Sequence, residues 1–229
     1  MGNHQSNPGG RKSNRVSVAQ FLVLLVTGII LCGLSFLCDQ AVIDWVKAHD
    51  WKSLKHIAAL LSQWGDWPEL MLFSCIGLGF ARIARSRVVC KVLLCMMIAA
   101  TISGAVVNCV RLVTGRARPN NREAKQEWNG LWRGSEFFLF ENKYHSFPSG
   151  HTGAAFAFFG VPLFANRRYG WCALFAAAAI AWSRIYLNVH HLSDVMVGAV
   201  VGLVAAYLVW ERLESWVNQL VAKFFVPRP

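Results

Sequence analysis

The sequence predicts an all-α fold, a six-transmembrane helical bundle with interfacial amphipathic helices. Three observations point there. The chain of 229 residues is 55% hydrophobic and only 15% charged, an apolar balance unusual for a soluble domain. Long uncharged runs recur, beginning with Val18–Cys38. Short loops between the later runs collect arginines, as cytoplasmic loops of membrane proteins do. One helical bundle accounts for the whole length, so a single domain is expected.

Residues 1–15 are polar, rich in Gly, Asn and Ser, and carry Arg11, Lys12 and Arg15. They read as a disordered cytoplasmic tail. Met1-Gly2 with Ser6 matches a short myristoylation pattern, but a spanning helix follows at once. Val18–Cys38 is the first span: at ~1.5 Å per residue it reaches across a hydrocarbon core of ~30 Å. Its length and its lack of a small-residue cleavage site mark a retained signal anchor.

Ala41–Trp64 changes texture. Val42, Trp45, Val46, Leu54, Ile57, Ala58 and Leu61 recur at helical spacing among Lys47, Lys52 and Lys55. This predicts an amphipathic helix lying in the interface. Asp66 then caps a helix with Pro68 in its first turn and Glu69 three residues on. That second span runs to about Ala84 and ends at Arg82, Arg85 and Arg87.

The third span is Val88–Val110, with Lys91 close enough to its end to snorkel. Residues 115–150 form a long non-periodic segment rich in cations and aromatics, including Arg116, Arg118, Arg122, Lys125, Trp128, Trp132, Phe137, Phe138 and Phe140. Loops of this length are usually functional. Arg116 and Arg122 read here as residues that snorkel to headgroups, and the aromatic stretch 128–140 as one that touches the interface. The fourth, fifth and sixth spans are His151–Ala165, Trp171–Asn188 and Asp194–Trp210, the last rich in small residues suited to close packing. Residues 16–212 thus make the membrane domain, and 213–229 a second amphipathic cytoplasmic tail. Six crossings put both termini in the cytoplasm and all the polar stretches described next on the external side.

The excess of 23 Lys and Arg over 12 Asp and Glu gives a net charge of +11. No basic run shows the aromatic interleaving of a nucleic-acid surface, so nucleic acid is excluded as a partner. In an apolar chain the excess fits a bilayer face and an anionic substrate. The seven cysteines lie mostly in apolar runs without metal-ligand spacing, and read as small hydrophobes.

Phe147-Pro148-Ser149-Gly150-His151-Thr152 is the pivotal stretch. Pro148 ends what precedes it, Ser149 suits an N-cap, and Gly150 permits close backbone approach. A helix start offers free N–H groups to an anion, and His151 at its mouth is placed to pass a proton. Arg111, Arg118 and Arg184 sit near the ends of other spans. Ionisable groups at that depth are costly and default to function. Guanidinium forks match a phosphate well. His190 and His191 are neighbours, and helical spacing lets either approach Asp194.

Arg111 through Arg118-Pro119, then Pro148–His151, then Ser183-Arg184 with His190 and Asp194 make a three-part pattern that resembles the type 2 phosphatidic acid phosphatase superfamily. That family also holds the vanadium haloperoxidases and several acid phosphatases. The match spans residues 105–200 and departs once, since Arg111 stands where the family usually has Lys. The resemblance implies a metal-free enzyme without a cofactor. It selects His190 over His191 as nucleophile, forming a phosphohistidine, with Asp194 orienting it and His151 as general acid and base. It assigns phosphate binding to Arg111, Arg118, Ser149, Gly150 and Arg184.

The implied partner is a membrane lipid phosphate: phosphatidic acid, phosphatidylglycerol phosphate, undecaprenyl diphosphate or lipid A phosphate. A bacterial inner membrane with an outward-facing site is the implied setting; no oligomeric state follows. A lipid phosphotransferase using the same intermediate is the alternative. A vanadate-dependent haloperoxidase and a non-enzymatic membrane scaffold or transporter fit less well.

Overall fold

The computed structural model describes residues 17–121, 123–124, 127–133, 136–137 and 141–225. The tail over 1–15 with its myristoylation pattern lies outside them, as do Arg122, Lys125, Phe138 and Phe140.

Among the described residues seven α-helices follow in order: α1 (Val18–Ala48), α2 (Lys52–Trp64), α3 (Trp67–Ile83), α4 (Arg87–Thr114), α5 (Gly150–Ala165), α6 (Arg167–Tyr186) and α7 (Leu192–Phe224). α1, α4 and α7 are long and apolar enough to cross a membrane, and α5 is apolar but shorter. The large apolar side chains left exposed on α1, α3 and α6, such as Leu37, Phe80, Ile83 and Phe175, suit hydrocarbon rather than water. The protein is therefore an integral membrane protein.

Caps explain several boundaries. Ser17 and Gln20 form a reciprocal capping box at the start of α1. Asp66 Oδ1 accepts from the Trp67 amide at 2.8 Å, with Pro68 inside the first turn, as the sequence predicts. Ser86 caps α4 and Asn166 caps α6. Ser149 holds the cap position of α5 but makes no side-chain cap bond; Thr152 Oγ1 donates to its hydroxyl at 3.0 Å instead.

Two expectations change. The amphipathic segment 41–64 is split: α1 runs on to Ala48, and α2 starts afresh at Lys52. In α2 the buried residues are Ala58 and Ser62, while Ile57, Leu60 and Trp64 are exposed. The small face packs on α6 and the apolar face looks outward. The C-terminal segment is no separate tail from residue 213 either. α7 continues unbroken to Phe224, and Val217 and Val221 join the main apolar core. The sequence reads as a surface helix there because a one-sided apolar stripe looks the same against lipid headgroups and against neighbouring helices.

α5 is the centre of the bundle, packed by α4, α6 and α7. Small residues permit this. A Cβ on Gly202 would lie 2.5 Å from the Gly153 carbonyl, and one on Gly198 2.7 Å from the Ser149 carbonyl. α5 and α7 thus touch backbone to backbone, which brings the start of α5 beside Asp194. The segment between α4 and α5 departs from an all-helical chain in a small way. It opens at Gly115, in the left-handed region at φ 56, and carries a two-residue antiparallel ladder, β1 (Trp132–Arg133) with β2 (Glu136–Phe137).

Gly202→Ala is expected to lower stability by about 1–3 kcal/mol, because backbone atoms cannot yield to the new methyl. Gly79→Ala, with open space around it, should not destabilise. Thermal unfolding of the two variants in detergent checks the contrast.

Candidate active site

The side chains gather at one end of the bundle, where α1, α4 and α6 end and α3, α5 and α7 begin. Arg111 occupies the last turn of α4. Its Nη1 lies 3.4 Å from where a Gly150 Cβ would be, so the glycine gives the guanidinium its place against α5. Arg111 also donates to Asn108 Oδ1. Arg184 sits in the last turn of α6 and donates from Nη1 to Ser62 Oγ on α2. Arg118 is in the loop after α4, held by its backbone amide to the Lys143 carbonyl at 2.9 Å. The Nε atoms of Arg111, Arg118 and Arg184 are all buried without a hydrogen-bond partner. Buried donors in this condition call for an acceptor.

The chain leaves α6 through Asn188, in the left-handed region at φ 54, and reaches His190 and His191 before α7. His190 is buried, with Nδ1 3.5 Å from Asp194 Oδ2. His191 approaches the same oxygen more closely, at 3.1 Å from its ring and 2.8 Å from its backbone amide. It thereby caps α7 reciprocally with Asp194. The His190 imidazole is pushed down to about 4, chiefly by burial; Asp194 acts against this, and Arg184 and Arg118 add to it. Burial and the neighbouring Arg111 likewise lower Arg118, with Asp194 acting against them. His190 is therefore neutral at ordinary pH, in a strongly cationic surrounding.

Arg116 corrects the sequence reading. It does not snorkel: only 1% of its surface is exposed. It pairs with Asp39 of α1 at 2.7 Å and also with Glu127 and Asp194, and donates to Ser193 Oγ at 2.6 Å. Trp128 covers its guanidinium at 4.7 Å. Burial alone would lower its pKa; Asp194, Asp39 and Glu127 together raise it. Asp39 in turn accepts from the Ser193 amide at 2.8 Å and the Ser193 hydroxyl at 2.5 Å. Ser146 Oγ donates to Asp194 Oδ2 at 2.5 Å, and the Ser149 amide donates to the Asp194 carbonyl at 3.0 Å.

His151, in the first turn of α5, faces a cavity of about 420 Å³ lined by Asp66, Trp67, Asn108, Arg111 and Gly150 among others. Asp66 Oδ2 is 3.4 Å from His151 Nε2.

The family model of the PAP2 superfamily matches residues 88–216. The chain belongs to the PAP2 superfamily. Lipid A 1-phosphatase of Rhizobium johnstonii is 27% identical over 180 residues, covering 74% of this chain and 71% of that protein. Lipid A 4'-phosphatase of Porphyromonas gingivalis is 35% identical over 69 residues, so this PAP2 chain spans only 29% of that relative's length. Two solved structures share the fold. LpxE of Aquifex aeolicus has TM-score 0.54 at 21% identity, covering 76% of this chain and 94% of its own. The transmembrane PAP2 type phosphatidylglycerolphosphate phosphatase of Bacillus subtilis has TM-score 0.57 at 20% identity, covering 85% and 96%.

Sequence reasoning over this PAP2 chain brought forward the residues with open chemistry. It missed the supporting partners Asp39, Arg116, Ser146, Ser193, Asp66 and Ser62. Asp39 left one signal: a carboxylate directly after an uncharged span is costly there unless it has a partner.

Arg116→Leu should cost about 3–5 kcal/mol, since it leaves Asp39 and Asp194 buried without their cation. Thermal unfolding in detergent reads the loss. Histidine side-chain NMR should find His190 neutral at pH 5.5, titrating near 4. Because the folded value lies below the ordinary one of about 6.5, the unfolded chain takes up this proton first. The His190 contribution to stability is thus complete above about pH 6.5 and fades as pH falls toward 4.

Proposed function

We propose that this protein removes a terminal phosphate from a lipid phosphate or diphosphate through a phosphohistidine on His190, without a metal. One observation carries the reading. Arg111, Arg118 and Arg184 converge with unsatisfied Nε donors beside a buried neutral histidine whose Nδ1, also unsatisfied, lies 3.5 Å from Asp194 Oδ2. A phosphoryl group brings the acceptor oxygens and the negative charge that such a cradle lacks.

With the His190 Nδ1 proton facing Asp194, Nε2 keeps its lone pair for attack. As Nε2 bonds to phosphorus, the bond to the lipid oxygen breaks and its electron pair goes to that oxygen. His151 supplies the proton. In the second step water attacks phosphorus, His151 takes the water's proton, and the P–N pair returns to His190. The three arginines, with Ser149 and Gly150 at the start of α5, neutralise charge on the non-bridging oxygens in both steps. The donor set is made of guanidinium groups, which supply the positive charge that a metal ion would otherwise bring.

His191 donates its backbone amide to Asp194 and caps α7, which supports a positioning role for it and leaves His190 as nucleophile. In this reading α1, α3, α4, α5, α6 and α7 all cross the membrane, and the site lies outside. The arginines at the other end support this orientation: Arg82 in the last turn of α3, Arg85 after it, Arg87 at the start of α4, and Arg167 and Arg168 at the start of α6. The lipid chains then stay in the bilayer, and the exposed Trp132 and Phe137 pair contacts its surface. The bacterial inner membrane, with both termini cytoplasmic, is the setting this implies.

The test is phosphate release by the detergent-purified protein from phosphatidic acid, phosphatidylglycerol phosphate, undecaprenyl diphosphate and lipid A, with EDTA present. Turnover should survive EDTA and fall by at least ~10³-fold in His190→Ala, as loss of a nucleophile does. Release that the substitution leaves untouched would overturn the assignment.

A further inference from the structure

The corner between α2 and α3 lies before the matched segment, which starts at residue 88, yet it builds one wall of the site. Ser62 takes a hydrogen bond from Arg184. Asp66 faces His151. Gly65 presses the corner onto α6, since a Cβ there would lie 2.5 Å from Ile180 Cγ1. Trp67 pins its other side, donating from Nε1 to Thr101 Oγ1 on α4 at 3.2 Å.

The two oxygens of Asp66 are divided. Oδ1 accepts from the Trp67 amide and so belongs to the helix cap, while Oδ2 points to His151 Nε2. A carboxylate in this place opposes binding of an anion, so affinity does not explain it. The charged and titratable groups around His151 are Arg111 from α4, Arg118 from the loop, Arg184 from α6, His190 before α7, and Asp66 from α3. Among the described residues Asp66 is the carboxylate within ion-pair distance of His151. A proton on His151 therefore stands against three guanidinium groups, with Asp66 as its counter-charge.

We propose that Asp66 is a positioning residue that holds the His151 proton in readiness for a poor leaving group, the alkoxide of a lipid alcohol. This rests on the general-acid role of His151 proposed above. As the phosphorus–oxygen bond breaks, its electron pair goes to the lipid oxygen, and the His151 proton follows to that oxygen. Asp66 remains a carboxylate throughout, and releases neutral His151 to receive the proton of the attacking water. A site without this counter-charge would still split esters whose leaving group needs no proton.

Asp66→Asn is the test, because Asn keeps the cap on Trp67 while removing the charge. The full-length protein in detergent is assayed on phosphatidic acid, whose leaving group is an alkoxide, and on p-nitrophenyl phosphate, whose leaving group is stable unprotonated. The ratio of kcat on the lipid to kcat on the aryl ester should fall by about tenfold or more, within the range of general-acid effects. KM for the lipid should not rise, and Asp66→Glu should restore part of the ratio. An unchanged kcat ratio, with or without a rise in KM, would overturn the proposal. His151→Ala separates the two readings: it should lower the same ratio at least as far. If it slows both substrates equally while Asp66→Asn changes the ratio, the general-acid role of His151 fails and Asp66 acts on the leaving group by another route.

Discussion

The site depends on a buried cation that is not free to bind anything. Arg116 is enclosed by Asp39, Asp194 and Glu127, with Ser193 completing its hydrogen bonds. A guanidinium in such surroundings is tolerable only when paired and fully hydrogen-bonded. Its partners come from α1, from the loop after α4, and from α7, so satisfying one side chain ties three parts of the chain together. The same bond occupies Asp194 Oδ1. The other oxygen is left for Ser146, His191 and His190. The orientation of the candidate nucleophile is thus set at the far end of a chain of charges that starts on α1.

This arrangement separates two kinds of arginine on short stretches of sequence. Arg116 and Arg118 are two residues apart, yet one is saturated by carboxylates and the other keeps an open Nε toward the site. Arg118, Arg111 and Arg184 repel one another, which costs free energy that a nearby negative charge would offset. Strain of this electrostatic sort is typical of functional sites. The close approach of α5 and α7 matters equally, because glycine-mediated contact sets the start of α5 beside Asp194. A wider helix spacing would separate the start of α5 from His190 and Asp194.

His190 and His191 show how backbone geometry divides labour between identical side chains. His191 is the cap residue of α7, with extended φ and ψ, so its amide and ring both turn to Asp194. His190 precedes the cap and presents Nδ1 to the same oxygen at a longer distance. Asp194 thereby faces a helix terminus and the His190 imidazole together.

The apolar runs, the Asp66 cap with Pro68 behind it, and the spacing of Arg111, Arg118, His151, Arg184, His190 and Asp194 were all legible in the sequence. Hydrophobic burial and capping are local in the chain, and the motif residues are polar where polarity is costly, so both leave marks that can be read in one dimension. The partners of those residues were not legible. Asp39 meets Ser193 across 154 positions and Arg116 meets Asp194 across 78, and no periodicity links them. The same holds for Asp66 against His151, and for Val217 and Val221, whose stripe packs on helices and not on headgroups. Sequence by itself determined which groups carry charge in an apolar chain. Only the tertiary structure decided which charges neutralise one another and which remain for a substrate, because pairing depends on distances that folding alone creates.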